Sequence, residues 1–122
     1  MCWVNIKLNK RIANKDITVY KIVIPKENGC TSLYKEFDYD FHKTYTELIH
    51  IDYAHDVYYI NEGFHSYKSL EVAQYILAFI RINRRECNGR IIRCIIPKGA
   101  IYYINNYKEV VSNKIIIDSC YE

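Results

Sequence analysis

The sequence predicts an α+β fold: a mostly antiparallel sheet, curved or split, with one principal helix over about residues 69–85. Three observations predict it. Most of the chain alternates in the period of two that a half-buried strand requires, with Gly, Pro and Asn marking the turns. One segment breaks that rhythm: Leu70, Ala73, Ile76, Leu77 and Ile80 recur at spacings of three and four, the signature of a helix face. No linker, internal repeat or low-complexity stretch divides the 122 residues, so residues 1–122 form one domain.

The elements follow in order. Val4, Ile6 and Leu8 alternate with Asn5 and Lys7, and turns are expected at Asn9-Lys10-Arg11 and Asn14-Lys15-Asp16. Ile17 to Ile24 is the clearest strand, β-branched and nearly continuous in apolar character, hence central, and closed by Pro25. Lys26 to Gly29 is a turn. Residues 32–45 are ambiguous: Leu33, Phe37, Tyr39 and Phe41 share a period of two, so the segment is either a strand or an aromatic loop lying on the sheet. Thr44 to Tyr53 reads as one strand, Ala54-His55-Asp56 as a turn, and Val57 to Ile60 as a short strand ending at Asn61-Glu62-Gly63.

For the helix, Ser69 is the expected N-cap, Glu71 complements the positive end of the dipole, and Arg81, Arg84 and Arg85 suit the other end. Val72, Tyr75 and Phe79 add a second apolar stripe, which predicts burial on more than one side. Strands are then expected over Arg90 to Ile96, Ile101 to Ile104 and Val110 to Ile117, separated by turns at Pro97-Lys98-Gly99 and Asn105 to Lys108.

Composition limits the function classes. A net charge of +3 permits an anionic ligand but falls short of the basic footprint of a dedicated nucleic-acid binder. Five cysteines, with no Cys-x-x-Cys pair, predict reduced and mostly buried thiols rather than a zinc ribbon or a disulfide framework. No apolar run approaches a membrane span, and the first residues are too short and polar for a signal peptide. The expected compartment is the cytoplasm, of a bacterium or of its phage-infected host. Thirteen tyrosines supply large amphipathic surfaces, which suit stacking and make a homodimer a reasonable expectation.

Chemistry concentrates at Gly63 to Lys68. His65, Ser66 and Tyr67 are expected at or just before a helix N-terminus, where free N–H groups attract anions. With Phe64, Lys68 and the strand residues Tyr20, Lys21 and Tyr102, they make up the candidate ligand site for an anionic or nucleotide-like small molecule. Tyr–Lys neighbours recur, but alternation along a strand sends each pair to opposite faces. His42, His50 and His55 with Asp52 and Asp56 lack the two-ligand spacings of metal sites, so neither metal nor cofactor is expected.

Ile17-Thr18-Val19-Tyr20-Lys21, Gly63-Phe64-His65-Ser66-Tyr67, Ile96-Pro97-Lys98-Gly99-Ala100 with Tyr102-Tyr103, and Val111 to Ile116 together resemble a group of small proteins of gut Bacteroides and their phages. That resemblance implies no particular activity. A looser one, on Gly63-Phe64-His65 and Ala73, is to ADP-ribosyltransferase-like domains. It implies NAD bound across a split sheet, with Tyr20, Ser66 and Glu109 in catalytic positions, although the family's Ser-Thr-Ser and paired-glutamate motifs are missing. The leading expectation is a non-enzymatic ligand-binding protein, in a phage setting one that sequesters a phosphorylated signalling molecule to blunt host defence. An NAD-using enzyme and a structural or protein-interaction module, such as a virion component, are the alternatives.

Overall fold

The computed structural model of the protein describes residues 3–5, 10–33, 37–54, 57–85 and 87–122. Its elements run β1 (Trp3–Asn5), β2 (Arg11–Ile12), β3 (Ile17–Lys26), β4 (Gly29–Ser32), β5 (Asp38–Asp40), β6 (Thr44–Thr46), β7 (His50–Ala54), β8 (Val57–Glu62), β9 (Phe64–Tyr67), α1 (Leu70–Asn83), β10 (Arg90–Ile96), β11 (Ile101–Ile104), β12 (Glu109–Ser112) and β13 (Lys114–Tyr121). Thirteen strands against one 14-residue helix, among the described residues, correct the α+β expectation: this is a largely β fold. The helix covers part of one sheet face and does not form a layer of its own.

The main sheet runs in the order β2-β11-β12-β9-β3-β10-β13-β6, with β4 also on β3 and β5 on β4, and every described pairing is antiparallel. β3 is central. Its pairing with β10 extends from Ile17↔Ile96 to Val23↔Arg90. Val19 and Val23, Ile92, Cys94 and Ile96, Ile115 and Ile117, Val110, Phe64, Cys30 and Tyr39 all enter one buried cluster, so the sheet curls around a single face. The opposite face is covered twice. Ala73, Leu77 and Ile80 of α1 pack on Ile22 and Ile91. Ile60 of the small sheet β1-β8-β7, with Ile49, packs on Tyr103 and Val111.

Several boundaries differ from expectation for local reasons. β3 passes through Pro25 and ends at Lys26, because beyond Val23 it has β4 on one side and no longer β10 on the other. Proline tolerates such an edge position. The expected strand over Thr44 to Tyr53 is two strands in different sheets, β6 pairing with β13 and β7 with β8. Val110 to Ile117 likewise divides at Asn113, whose N–H and Oδ1 both bond the backbone of Ile101 and turn the chain from β12 into β13. Period-two alternation continues across such a corner, which hides it. The alternation of Ile6 and Leu8, residue 9 of the first turn, residues 34–36 and the turn residues His55 and Asp56 lie outside the described residues.

The helix starts at the expected cap: Ser69 Oγ accepts from Val72 N–H at 3.5 Å. The second stripe, however, is not buried. Tyr75 and Phe79 lie 72% and 59% exposed, because the sheet reaches only one side of the helix. Among the described residues, no helix is long and apolar enough to cross a membrane.

Candidate ligand cleft at the fork of β3

One edge of β3 is shared by two strands. β9 pairs with it at Tyr20, and β4 pairs with it from Val23 onward. Lys21 and Ile22 lie between, where the two neighbours diverge, and a cleft of about 100 Å³ opens there. Alternation places Lys21 on the curled inner face with Val19 and Val23, and Ile22 on the helix side. The cleft therefore draws on both faces: Lys21, Tyr39 and Phe64 from one, Ile22, Tyr67 and Ile80 from the other, with Phe37 and Glu47 also lining it.

The walls are mainly apolar and aromatic. Phe37 stacks tilted against Tyr39 at 4.8 Å between centroids and meets Phe64 edge-on at 6.5 Å. Tyr45 braces this group from behind, edge-on to Tyr39 at 5.1 Å, while its hydroxyl accepts from Asp40 N–H at 2.7 Å. Such edge contacts contribute about 0.5–1.5 kcal/mol each beyond buried area. Two close approaches hold the wall in place. A Cβ on Gly29 would fall 1.9 Å from the Tyr39 carbonyl oxygen, and one on Gly63, at φ +127°, would fall 2.5 Å from Val111. Glycine at 29 lets β5 lie close against β4.

The distinctive polar group is Lys21. It is 9% exposed, donates from Nζ to the His65 carbonyl oxygen at 2.8 Å, and holds its ammonium 5.7 Å from the centre of the Tyr39 ring. Cys30, Cys94 and Tyr39 beside it stay neutral at pH 7, and Glu47 lines the same cleft. Burial pushes the Cys30 thiol up to about 11, with the Lys21 charge pulling the other way, and burial raises Cys94 and Tyr39 further still. The Lys21 ammonium thus sets a positive charge beside aromatic faces at the wall of the cleft.

Of the sequence-predicted ligand residues, the fold brings Lys21, Phe64, His65 and Tyr67 to this cleft. His65 and Tyr67 act there as members of β9 and not of a helix N-terminus, since α1 begins at Leu70. Tyr20 packs under the helix, and the Ser66 hydroxyl is buried on the opposite face without a hydrogen-bond partner among the described residues. Lys68 is exposed and contributes its N–H to Lys108 O. Tyr102, on β11, is three strands from β3, roughly 14 Å across the sheet. Tyr20, Tyr67 and Glu109 form a lateral row across β3, β9 and β12, but Ser66 alternates away from them, so Tyr20, Ser66 and Glu109 do not converge. Burial raises the Glu109 carboxyl above its usual range.

Sequence reasoning missed Phe37, Tyr39 and Glu47. The shared period of Phe37 and Tyr39 was the available signal, since both rings do line one wall. His50 and Asp52 share a strand face and touch at 2.9 Å, whereas His42 faces Ser119 and Asp118 elsewhere. Four described cysteines are free thiols, Cys30 and Cys94 buried, Cys87 half-buried and Cys120 exposed. Comparison of this chain with protein-family models, curated proteins and solved structures found no match.

Proposed function

We propose that the protein is a small non-enzymatic binding protein whose ligand enters the fork of β3, a ring in the aromatic walls and an acceptor oxygen toward Lys21. The buried Lys21 ammonium, aimed among Tyr39, Phe64 and the His65 backbone, carries this reading. Size sets the ligand class. Drug-sized ligands occupy about 300–1,000 Å³, and a cavity of roughly 150 Å³ takes one benzene ring. The cleft at about 100 Å³ is smaller than that but open at its mouth, so it takes the edge of one ring and leaves the rest of the ligand outside. A nucleotide-like molecule would enter by its base and leave ribose and phosphates outside. In a phage setting, that mode serves sequestration of a signalling nucleotide and needs no catalytic group.

The test is a thermal-shift and calorimetric screen of the full chain with AMP, benzoate and indole-3-acetate, repeated on Lys21→Met. The expected result is a raised melting temperature with at least one probe and about tenfold weaker binding in the variant, the value of one charge-assisted hydrogen bond. If none of the probes shifts the melting temperature, and native mass spectrometry of protein from its natural host shows only the apo mass, the reading is overturned.

A further inference from the structure

Helix α1 presents an apolar stripe to solvent. Tyr75, Phe79 and Ile82, spaced by four and three, lie 72%, 59% and 76% exposed on one helix face. Beside its first half runs a groove of about 420 Å³, bounded by Glu71, Val72, Tyr75 and Ile76 on the helix, by Tyr107 and Lys108 on the β11–β12 turn and by Glu109 at the start of β12. Tyr107 adds a further ring, 75% exposed. Charges flank this face: Glu71, Glu109 and Lys108 stand at the groove, and Arg81, Arg84 and Arg85 at the far end of the helix.

We propose that a second copy of this chain covers this face, the two helices packing antiparallel about a two-fold axis near Phe79. Reversal about Phe79 sets Tyr75 of each copy against Ile82 of the other, and brings Arg85 of each to Glu71 of the other. The Glu71–Arg85 pair then recurs on both sides of the axis, as a two-fold interface demands. Ile82 is the knob, and the groove beside Tyr75 and Tyr107 is its hole. A lipid surface also accepts aromatic residues flanked by cations, but an anionic bilayer offers Glu71 no cationic partner, whereas a second copy offers Arg85.

A stable interface takes about 800 Å² from each partner, so this face must contribute about a tenth of the 7711 Å² that the protomer exposes. Three aromatics of about 150–250 Å² each, mostly exposed, supply the apolar centre, and the arginine stems supply the rim.

Sedimentation velocity of the full chain across a range of concentrations tests the proposal, with circular dichroism to confirm that each variant folds. A concentration-dependent dimer is expected. Phe79→Asp should weaken it about 30-fold or more, the scale of a central interface residue. Glu71→Arg and Arg85→Glu should each weaken it, and the double exchange should restore it. A monomer at every concentration, or a dimer indifferent to Phe79→Asp and to the charge exchange, overturns the proposal. So does a monomer that binds vesicles of phosphatidylserine and phosphatidylcholine through Phe79, which would assign the face to lipid.

Discussion

Replacing Gly29 with alanine is expected to destabilise the protein by about 3 kcal/mol and to open the aromatic wall of the cleft. The added methyl would meet the Tyr39 carbonyl oxygen at 1.9 Å and the carbonyl carbon at 3.0 Å. Both atoms are backbone, so no side-chain rotation relieves the contact; β4 and β5 must separate by about 1.5 Å to reach ordinary van der Waals distance. That movement breaks the pairing of Gly29 with Asp40 and of Cys30 with Tyr39. Each lost hydrogen bond costs about 1 kcal/mol, and the displaced Tyr39 ring loosens its contacts with Phe37 and Tyr45 at about 0.5–1.5 kcal/mol each. For a chain of this size, about 3 kcal/mol lowers the melting temperature by about 12 °C. Urea unfolding followed by tyrosine fluorescence gives the free energy, and Gly99→Ala is the control. Gly99 has φ +90°, and a methyl added there would meet nothing within 4 Å, so that exchange carries backbone strain alone, about 1 kcal/mol. A Gly29 variant no less stable than the Gly99 one would refute the close-approach argument.

Ser69→Ala should cost about 0.5–1 kcal/mol in urea unfolding, at the low end for an N-cap because the bond to Val72 N–H is long. Hydrogen bonds from Lys26 and Thr31 hold the Asp38 carboxyl below the usual range. Its contribution is therefore present above the unfolded carboxylate value, about 3.9, and is lost as pH falls through the folded one. Asp38→Asn should flatten the acid limb of the stability profile, and an unchanged limb would count against that role. The Cys30 thiol shifts the opposite way: its contribution is complete below the unfolded thiol value and fades as pH rises toward about 11, so Cys30→Ala should flatten the alkaline limb. A thiol reagent at neutral pH should modify exposed Cys120 quickly and reach buried Cys30 and Cys94 only on unfolding, as peptide mass mapping would show.

The central position of β3, the cap at Ser69 and the strand from Arg90 to Ile96 were legible because each depends on neighbours in the chain. The corner at Asn113 was not, since Val111 and Ile115 are buried on either side of it and the apolar rhythm gives no sign of a change of partner. The fold class was misjudged on α1, whose two apolar stripes read as a helix enclosed by protein, although one stripe faces solvent. Lys21, Phe64, His65 and Tyr67 were placed in a site by local chemistry, but the helix N-terminus supposed to join them lies beyond β9. The fork that does join them arises from pairings between segments far apart in sequence, which no local pattern encodes.

The strand order has a consequence for synthesis. Ile22 pairs with Ile91, roughly seventy residues later, and Ile12 at the sheet's far edge waits for Ile101. At about 5–20 residues per second, a ribosome needs roughly 4–14 s to deliver the partner of β3. During that interval β3 has β4, extended by β5, and then β9 at Tyr20 alone, all on one edge, and a hairpin by itself is marginally stable in water. The nascent chain therefore carries an uncovered isoleucine- and valine-rich edge for seconds, a period in which chaperone capture competes with aggregation.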